Sequence, residues 1–393
     1  MKTRMKLLAA AVAAMHTCAW AQDKAPASGN DDTIRAPTKK LGVVVVTGSQ
    51  PTSLPTQIPT TMEGLDAKQI ERTINATDSE DVLKYFPSLL VRKRYEGDYN
   101  HAILSTRASG TGNSARSLVF ADGIQLSNLL GNGVSGLSVL PRKGLVTPEE
   151  IARVDVMYGP FSAAYSGNSV GAVVDCQTRM PNKFEAHVAS NFSYQPFDLY
   201  NTHSNYKAWQ TSASLGSRSG AWSWWLAVNH MDSNGQPLTF ATRLLSAGIA
   251  GSSGTAVTGA AQDNNNAGQP WWILGTGTQY HTRQDYAKVK VAYDFSPTVR
   301  ASYTFGLWQN DVDIAASLYR NERDQLRQIA ASNTLPAAAS GGAGTLADGG
   351  GSGWDTIAAK GIWRPAFAQG AHVVDFGVGQ DSYQLRFKAT SIT

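Results

Sequence analysis

"QDYAKVKVAYDFSPTVRASYTFGLW", Gln284 to Trp308, alternates with period two on both sides of a short break, Ser296-Pro297-Thr298. In the first run Ala287, Val289, Val291, Tyr293 and Phe295 share one face, while Tyr286, Lys288, Lys290 and Asp294 share the other. After the break Val299, Ala301, Tyr303, Phe305 and Leu307 oppose Arg300, Ser302 and Thr304. Strict alternation marks strands with two unlike faces. "DSYQLRFKAT" repeats it, with Tyr383, Leu385, Phe387 and Ala389 against Gln384, Arg386 and Lys388. A soluble sandwich alternates in the same way, so periodicity alone leaves two architectures open.

The connections choose between them. "SRSGA" between "YKAWQTSASLG" and "WSWWLAVNH" is tight, as is "SPT". The stretches Asp232 to Arg283 and Asn310 to Gln380 are long and rich in Gly, Ser, Ala and Asn. Tight turns alternating with long loops are the pattern of an outer-membrane barrel, and such loops count against an ordinary compact domain. Trp209, Trp222, Trp224 and Trp225 suit interfacial girdles, although not all of them can face lipid. Composition agrees. Charged residues are 16% of the 393, below the roughly 25% of soluble domains, and Gly contributes 37 positions. The net charge of +4 is scattered and excludes an electrostatic footprint for nucleic acid.

The N-terminus reads as an export signal. Lys2, Arg4 and Lys6 precede the apolar run Leu7 to Met15, and Ala19-Trp20-Ala21 is the cleavage site. Residues 1–21 are then a leader, and Cys176 is the one cysteine left after it, so no internal disulfide is expected. Residues 22–40 are expected to be a disordered tether.

Ahead of the strands lies a small mixed α/β domain. "DAKQIERTI" is a short amphipathic helix, and "TDSEDVLKYFP" opens on capping residues Thr77 and Asp78 and stops at Pro87. "SLVFADGIQLS" is a hairpin around Asp122-Gly123. "TPEEIARVDVMYGP" sets Thr147, Pro148 and Glu150 as a capping box before a strand, Val154 to Tyr158. In "IARVDVMYGPFSAAYSGNSVGAVVDCQTR", Ile151 to Arg179, that strand meets Gly159-Pro160, and Gly167 and Gly171 interrupt before another strand.

This last stretch resembles the end of the plug domain of TonB-dependent outer-membrane receptors. The likeness runs back over "DVLKYFPSLLVRKR", Arg107 and "LVFADGIQLS". It implies a small α/β plug domain, residues 49–179, followed by an antiparallel transmembrane β-barrel, residues 180–393, truncated after its first few strands. The positions that carry it are Arg107, Asp122, Gly123, Arg153, Gly159, Pro160, Tyr165, Gly167 and Gly171. One departure stands out. Where the family has Arg-Gly, this chain has Arg107-Ala108 and then "SGTGNSAR".

"LGVVVVTGSQ" lies where such receptors keep the TonB box, so residues 41–48 are a TonB-box-like segment. Val43, Val44, Val45, Val46 and Thr47 would add a strand to the energy-transducing partner TonB, or else form the plug's first strand. Ligand contact is expected at Tyr95, Tyr99, His101 and Arg142, in two loops that the family presents to its ligand. "GNGVSG", Gly131 to Gly136, lacks the strand–helix context of a dinucleotide site. No metal-ligand spacing or catalytic arrangement stands out, so no enzyme, metal or cofactor is expected. The resemblance implies a monomeric receptor of a Gram-negative outer membrane, in contact with lipid. It would import a scarce nutrient, an iron–siderophore complex or similar metal chelate. Alternatives are a passive porin-like or adhesin barrel, or a truncated non-functional receptor fragment.

Overall fold

The computed structural model describes residue 54 and residues 61–91, 93–98, 104–106, 117–126, 145–159, 165, 169–244, 260–319, 344–348, 351–365, 372–384 and 388–392. Two β-structures account for most of them. The first is a mixed sheet of β1 (Met62–Asp66), β4 (Leu118–Ala121), β5 (Ile124–Gln125), β6 (Ile151–Tyr158) and β7 (Ala172–Thr178), in the order β1-β6-β7-β4-β5. Between its first and second strands in sequence, β2 (Leu89–Val91) and β3 (Leu104–Thr106) pair separately. The central strands β6 and β7 bury consecutive residues on both faces over Val154–Met157 and Ala172–Val174.

Helix α1 (Ala67–Thr73) begins where Asp66 accepts from Gln69 N and Gln69 Oε1 accepts from Asp66 N, a reciprocal cap; it buries Ile70 and ends at Ile74, which is extended. The stretch from Thr77 shortens to a single 3-10 turn, Asp81–Leu83. The Asp81 carboxylate is the cause: it accepts from Thr77 N at 2.9 Å and from Lys93 at 2.8 Å, fixing the chain around itself instead of extending a helix. The strand expected from Val154 begins earlier, at Ile151, directly after the capped turn Pro148–Glu150.

The second structure is an antiparallel wall. Its strands are β8 (Glu185–Leu199), β9 (Thr202–Ser219), β10 (Trp222–Asn234), β13 (Pro270–Ser296), β14 (Val299–Leu318), β16 (Ser352–Trp363) and β17 (Val374–Gln384), paired in that order. Two short strands, β11 (Phe240–Leu244) and β12 (Ala261–Asn264), both pair with the start of β13. The wall is open among the described residues, with β8 and β17 at its ends. β13 has 27 residues, against the ~9–11 needed to cross a bilayer, so it runs far past the apolar band on its own outer face.

Three expectations need correction. The stretch 381–390 is not one strand: β17 ends at Gln384, and β18 (Lys388–Ile392) pairs with β15 (Gly344–Asp348). Neither long connection is all loop, because 232–283 contains the end of β10, β11, β12 and the first half of β13, and 310–380 contains β15, β16 and most of β17. The alternation of short and long connections also has an exception, since β8 and β9 are joined at the long-loop end by Tyr200-Asn201 alone. Polar and glycine-rich strands such as "SGWDTIAAKGIW" carry too little apolar contrast to be read from composition.

Plug and wall share one core. Val154, Val156, Val174 and Leu145 of the first structure pack in the same cluster as Trp225, Tyr286, Trp308 and Trp354 of the wall. Trp225 is therefore an interior residue, 0% exposed, whereas Trp209 and Trp222 stand on the outer face at 45% and 54%.

Candidate functional site

The wall holds the plug at two neighbouring rungs of β13. Lys288 and Lys290 point to the same side of the strand, as alternation requires, and each meets a plug carboxylate. Lys288 Nζ lies 2.8 Å from Glu150 Oε1, with the two side chains 2% and 0% exposed. Glu150 is the third residue of the capped turn, and its two oxygens serve both the turn and the wall. Oε2 accepts from Thr147 N at 3.0 Å, closing the cap, and from Tyr286 OH at 2.8 Å; Oε1 also accepts from Trp225 Nε1 at 3.0 Å. The carbonyl of Leu145 lies 2.6 Å from the same Tyr286 OH, sharing its one proton with Glu150 Oε2, and accepts from Lys288 at 3.2 Å. A buried carboxylate with this many donors offsets its desolvation, and removing either charge of such a pair costs about 3–5 kcal/mol.

The second rung holds the tip of the hairpin. Asp122 and Gly123 have φ of 51° and 82°, so glycine's freedom is used at a two-residue turn between β4 and β5. The Asp122 carboxylate accepts from Lys290 at 2.8 Å and from Thr178 N and Oγ1 at 2.9 and 2.5 Å, while its carbonyl accepts from Lys360 at 3.2 Å. Burial pushes the Asp122 carboxyl up, but the Lys290 and Lys288 ammoniums and the Thr178 bonds outweigh it and hold the group below the ordinary aspartate range. Next to these rungs the wall makes room for a knob. A Cβ on Gly306 would collide with Leu145 Cδ1, so the absence of a side chain there lets Leu145 seat beside Trp354.

A third contact lies nearer the long-loop end. Tyr95 is 5% exposed and stacks on Tyr280 of β13 at 5.5 Å between ring centres. Gln284 donates to Gly97 O at 2.9 Å, and Gln236 donates to Arg94 O at 2.6 Å. The base of this loop is knotted by Lys93, which meets Asp78, Asp81 and Glu96 at 2.9, 2.8 and 2.9 Å. Burial pushes the Lys93 ammonium down, but those three carboxylates more than offset it and hold it well above the ordinary lysine range.

Other residues singled out in the sequence serve the plug itself. Arg153 and Asp155 form a pair at 2.7 Å lying over Gly64, where a Cβ would collide with both. Gly159 N donates to Gly171 O at 3.5 Å, and Tyr165 sits 6.4 Å from Phe120. Val43, Val44, Val45, Val46, Thr47, Tyr99, His101, Arg107, Arg142, Pro160 and Gly167 lie outside the described residues, as does "GNGVSG". Glu150 and Trp225, central to the seat, read from sequence only as a cap and a girdle residue; nothing in their spacing signals the meeting. Among the described residues no group of His, Cys, Asp or Glu could hold a metal ion, and no helix is long and apolar enough to cross a membrane, which says nothing of strands.

Comparison with known proteins assigns this arrangement. Residues 55–173 match the model of the TonB-dependent receptor plug domain. Over 172 residues the chain is 28% identical to the vitamin B12 transporter BtuB of Vibrio vulnificus (strain YJ016), covering 44% of this chain and 25% of that protein. Among solved structures it is similar to a point mutant of the ferric enterobactin receptor PfeA of Pseudomonas aeruginosa, with TM-score 0.53 and 12% identity over 85% of this chain and 45% of that one. The siderophore receptor PirA of Acinetobacter baumannii gives TM-score 0.50 and 12% identity over 81% and 39%. The chain thus spans less than half the length of these relatives. Residues 55–173 are thus similar to the plug domain of TonB-dependent receptors, and the antiparallel strands that follow share the fold of these solved receptors.

Proposed function

We propose that the chain acts in the import of a scarce nutrient across a Gram-negative outer membrane, with the plug as gate and TonB as the source of energy. The cargo class is an iron–siderophore complex or similar metal chelate, the kind of ligand named for the PfeA and PirA receptors. The observation that carries this reading is the seat of the plug. A domain held inside the wall by a few buried, fully bonded ion pairs blocks passage at rest, yet those bonds exchange for water once the domain is displaced. A passive porin has no use for such a gate.

In this reading Val43–Thr47 is the strand offered to TonB, delivered by residues 22–40 and following a leader at 1–21. Arg107, Asp122, Gly123, Arg153, Gly159, Pro160, Tyr165, Gly167 and Gly171 maintain the plug. Ligand contact falls to Tyr99, His101 and Arg142 and to the barrel loops. Tyr95 stacks on Tyr280 as the structure stands, so its contact with ligand requires the loop to move. Deleting Val43–Thr47 from the receptor and following uptake and surface binding of a labelled ferric siderophore is the test. Energised uptake should vanish while binding persists. Uptake that survives the deletion would favour a passive barrel.

A further inference from the structure

The turn between β8 and β9 contains a residue in the wrong conformation for its type. Leu199 and Thr202 are paired, leaving Tyr200 and Asn201 as the two central residues, and Tyr200 has φ 56°. A two-residue turn with positive φ at its first central position favours glycine there, and a non-glycine residue so placed is strained and persists only where its surroundings demand it. The surroundings are specific. Tyr200 OH donates to Asp263 Oδ2 at 2.5 Å, and its ring meets Phe240 edge-on at 5.0 Å. Next to it, Thr202 Oγ1 and Tyr319 OH share a buried hydrogen bond of 2.7 Å.

These partners come from across the wall. β11 and β14 both pair near Gly275–Thr276 of β13, and β11 and β12 both pair near Ile273, so β11 lies on one side of β13 and β12 on the other. The Tyr200–Asp263 bond therefore passes over β13 from the β9 side to the far side. Trp272, Ile273, Leu274 and Tyr319 form a second buried cluster beneath it, with Tyr200 and Phe240 packed against them. Local strain and a long-range bond thus coincide in one tyrosine, at the end of the wall where the long connections lie.

We propose that Tyr200, with Asp263, Phe240 and the Thr202–Tyr319 pair, is a strap that ties β11 and β12 to the β8–β9 turn and sets how readily these two strands part from β13. The proposal rests on the barrel reading of these strands. It separates two effects that normally move together. Tyr200→Gly relieves the turn but frees β11 and β12, whereas Tyr200→Phe keeps the strain and loses only the bond to Asp263.

The test uses the full chain inserted into phosphatidylcholine–phosphatidylglycerol vesicles. Amide exchange is measured over 240–244 and 261–264, with β9 and β10 as internal controls. Tyr200→Phe should raise exchange in β11 and β12 about fivefold, the loss of one hydrogen bond. Tyr200→Gly should raise it at least as much while leaving exchange along β9 and β10 unchanged or slower, and Thr202→Val should act as Tyr200→Phe does. Unchanged exchange in β11 and β12 in all three variants would overturn the strap, as would an equal rise along β9 and β10. A parent chain that does not insert or migrate as a heat-modifiable band would instead overturn the barrel reading beneath it.

Discussion

The two faces of β13 differ in what they ask of their neighbours. Inward, Tyr286, Lys288 and Lys290 each meet named plug atoms, and all three side chains are buried. Outward, Ala287, Val289, Val291 and Tyr293 present apolar surface flanked by Leu226, Trp224, Phe305 and Tyr303 on adjacent strands. The inner face depends on partner identity and geometry. The outer face depends only on being apolar at the right depth. One backbone supports both because successive residues point opposite ways, so each face is free to answer to its own surroundings.

The difference is open to direct attack, and the largest effect should come from the inner face. Glu150→Ala leaves Lys288 buried without its charge partner and strips Trp225 and Tyr286 of an acceptor, so the plug should lose about 3–5 kcal/mol, read from its denaturant midpoint by tryptophan fluorescence. Next comes the outer face. Val291→Lys should cost about 2–4 kcal/mol near the bilayer midplane, visible as lost heat-modifiability on gels. A loss there no larger than that of a buffer-facing control would contradict the face assignment.

Asp122→Asn should cost less, about 1.5–3 kcal/mol, because the carbonyl bond from Lys360 and the turn itself remain. Its signature is pH dependence. The folded carboxyl sits below its unfolded value of about 3.9, so its stabilisation is complete above that pH and is lost as pH falls toward the folded value. The difference between parent and Asp122→Asn should therefore shrink on acidification below about pH 4, and a constant difference would argue against the Lys290 pairing. The smallest effect is expected at Ser302→Lys. That inner position is polar but lies directly opposite Lys360, so like charges should cost only about 0.2–1 kcal/mol.

How far the sequence carries follows from the same contrast. Period two assigns faces over 284–294 and 299–308, on either side of the break, and Lys288 and Lys290 are legible as interior charges. The hairpin at Asp122-Gly123 and the cap at Thr147–Glu150 are legible because each is a local bond between near neighbours in sequence. Glu150 meeting Lys288 is not, since it depends on how the plug is turned within the wall. Periodicity fixes which way a side chain points but not the register or partner it meets. The stretch 381–390 fails for that reason: its alternation runs unbroken while its pairing changes from β16 to β15. The Tyr200 turn is equally hidden, as the sequence there has tyrosine where the conformation favours glycine.

The measurement closest to the central claim is a double-mutant cycle between Glu150 and Lys288. Glu150→Gln, Lys288→Met and the pair together would be compared by amide exchange of β6 and β7 in the membrane-inserted chain. If the plug is seated by this ion pair, each single change should weaken protection, and the double variant should recover part of the loss, with a coupling of about 1–3 kcal/mol. Losses that simply add, within about 0.5 kcal/mol, would contradict the account and leave the seat to the packing around Leu145 and to the contacts of Asp122 and Tyr95.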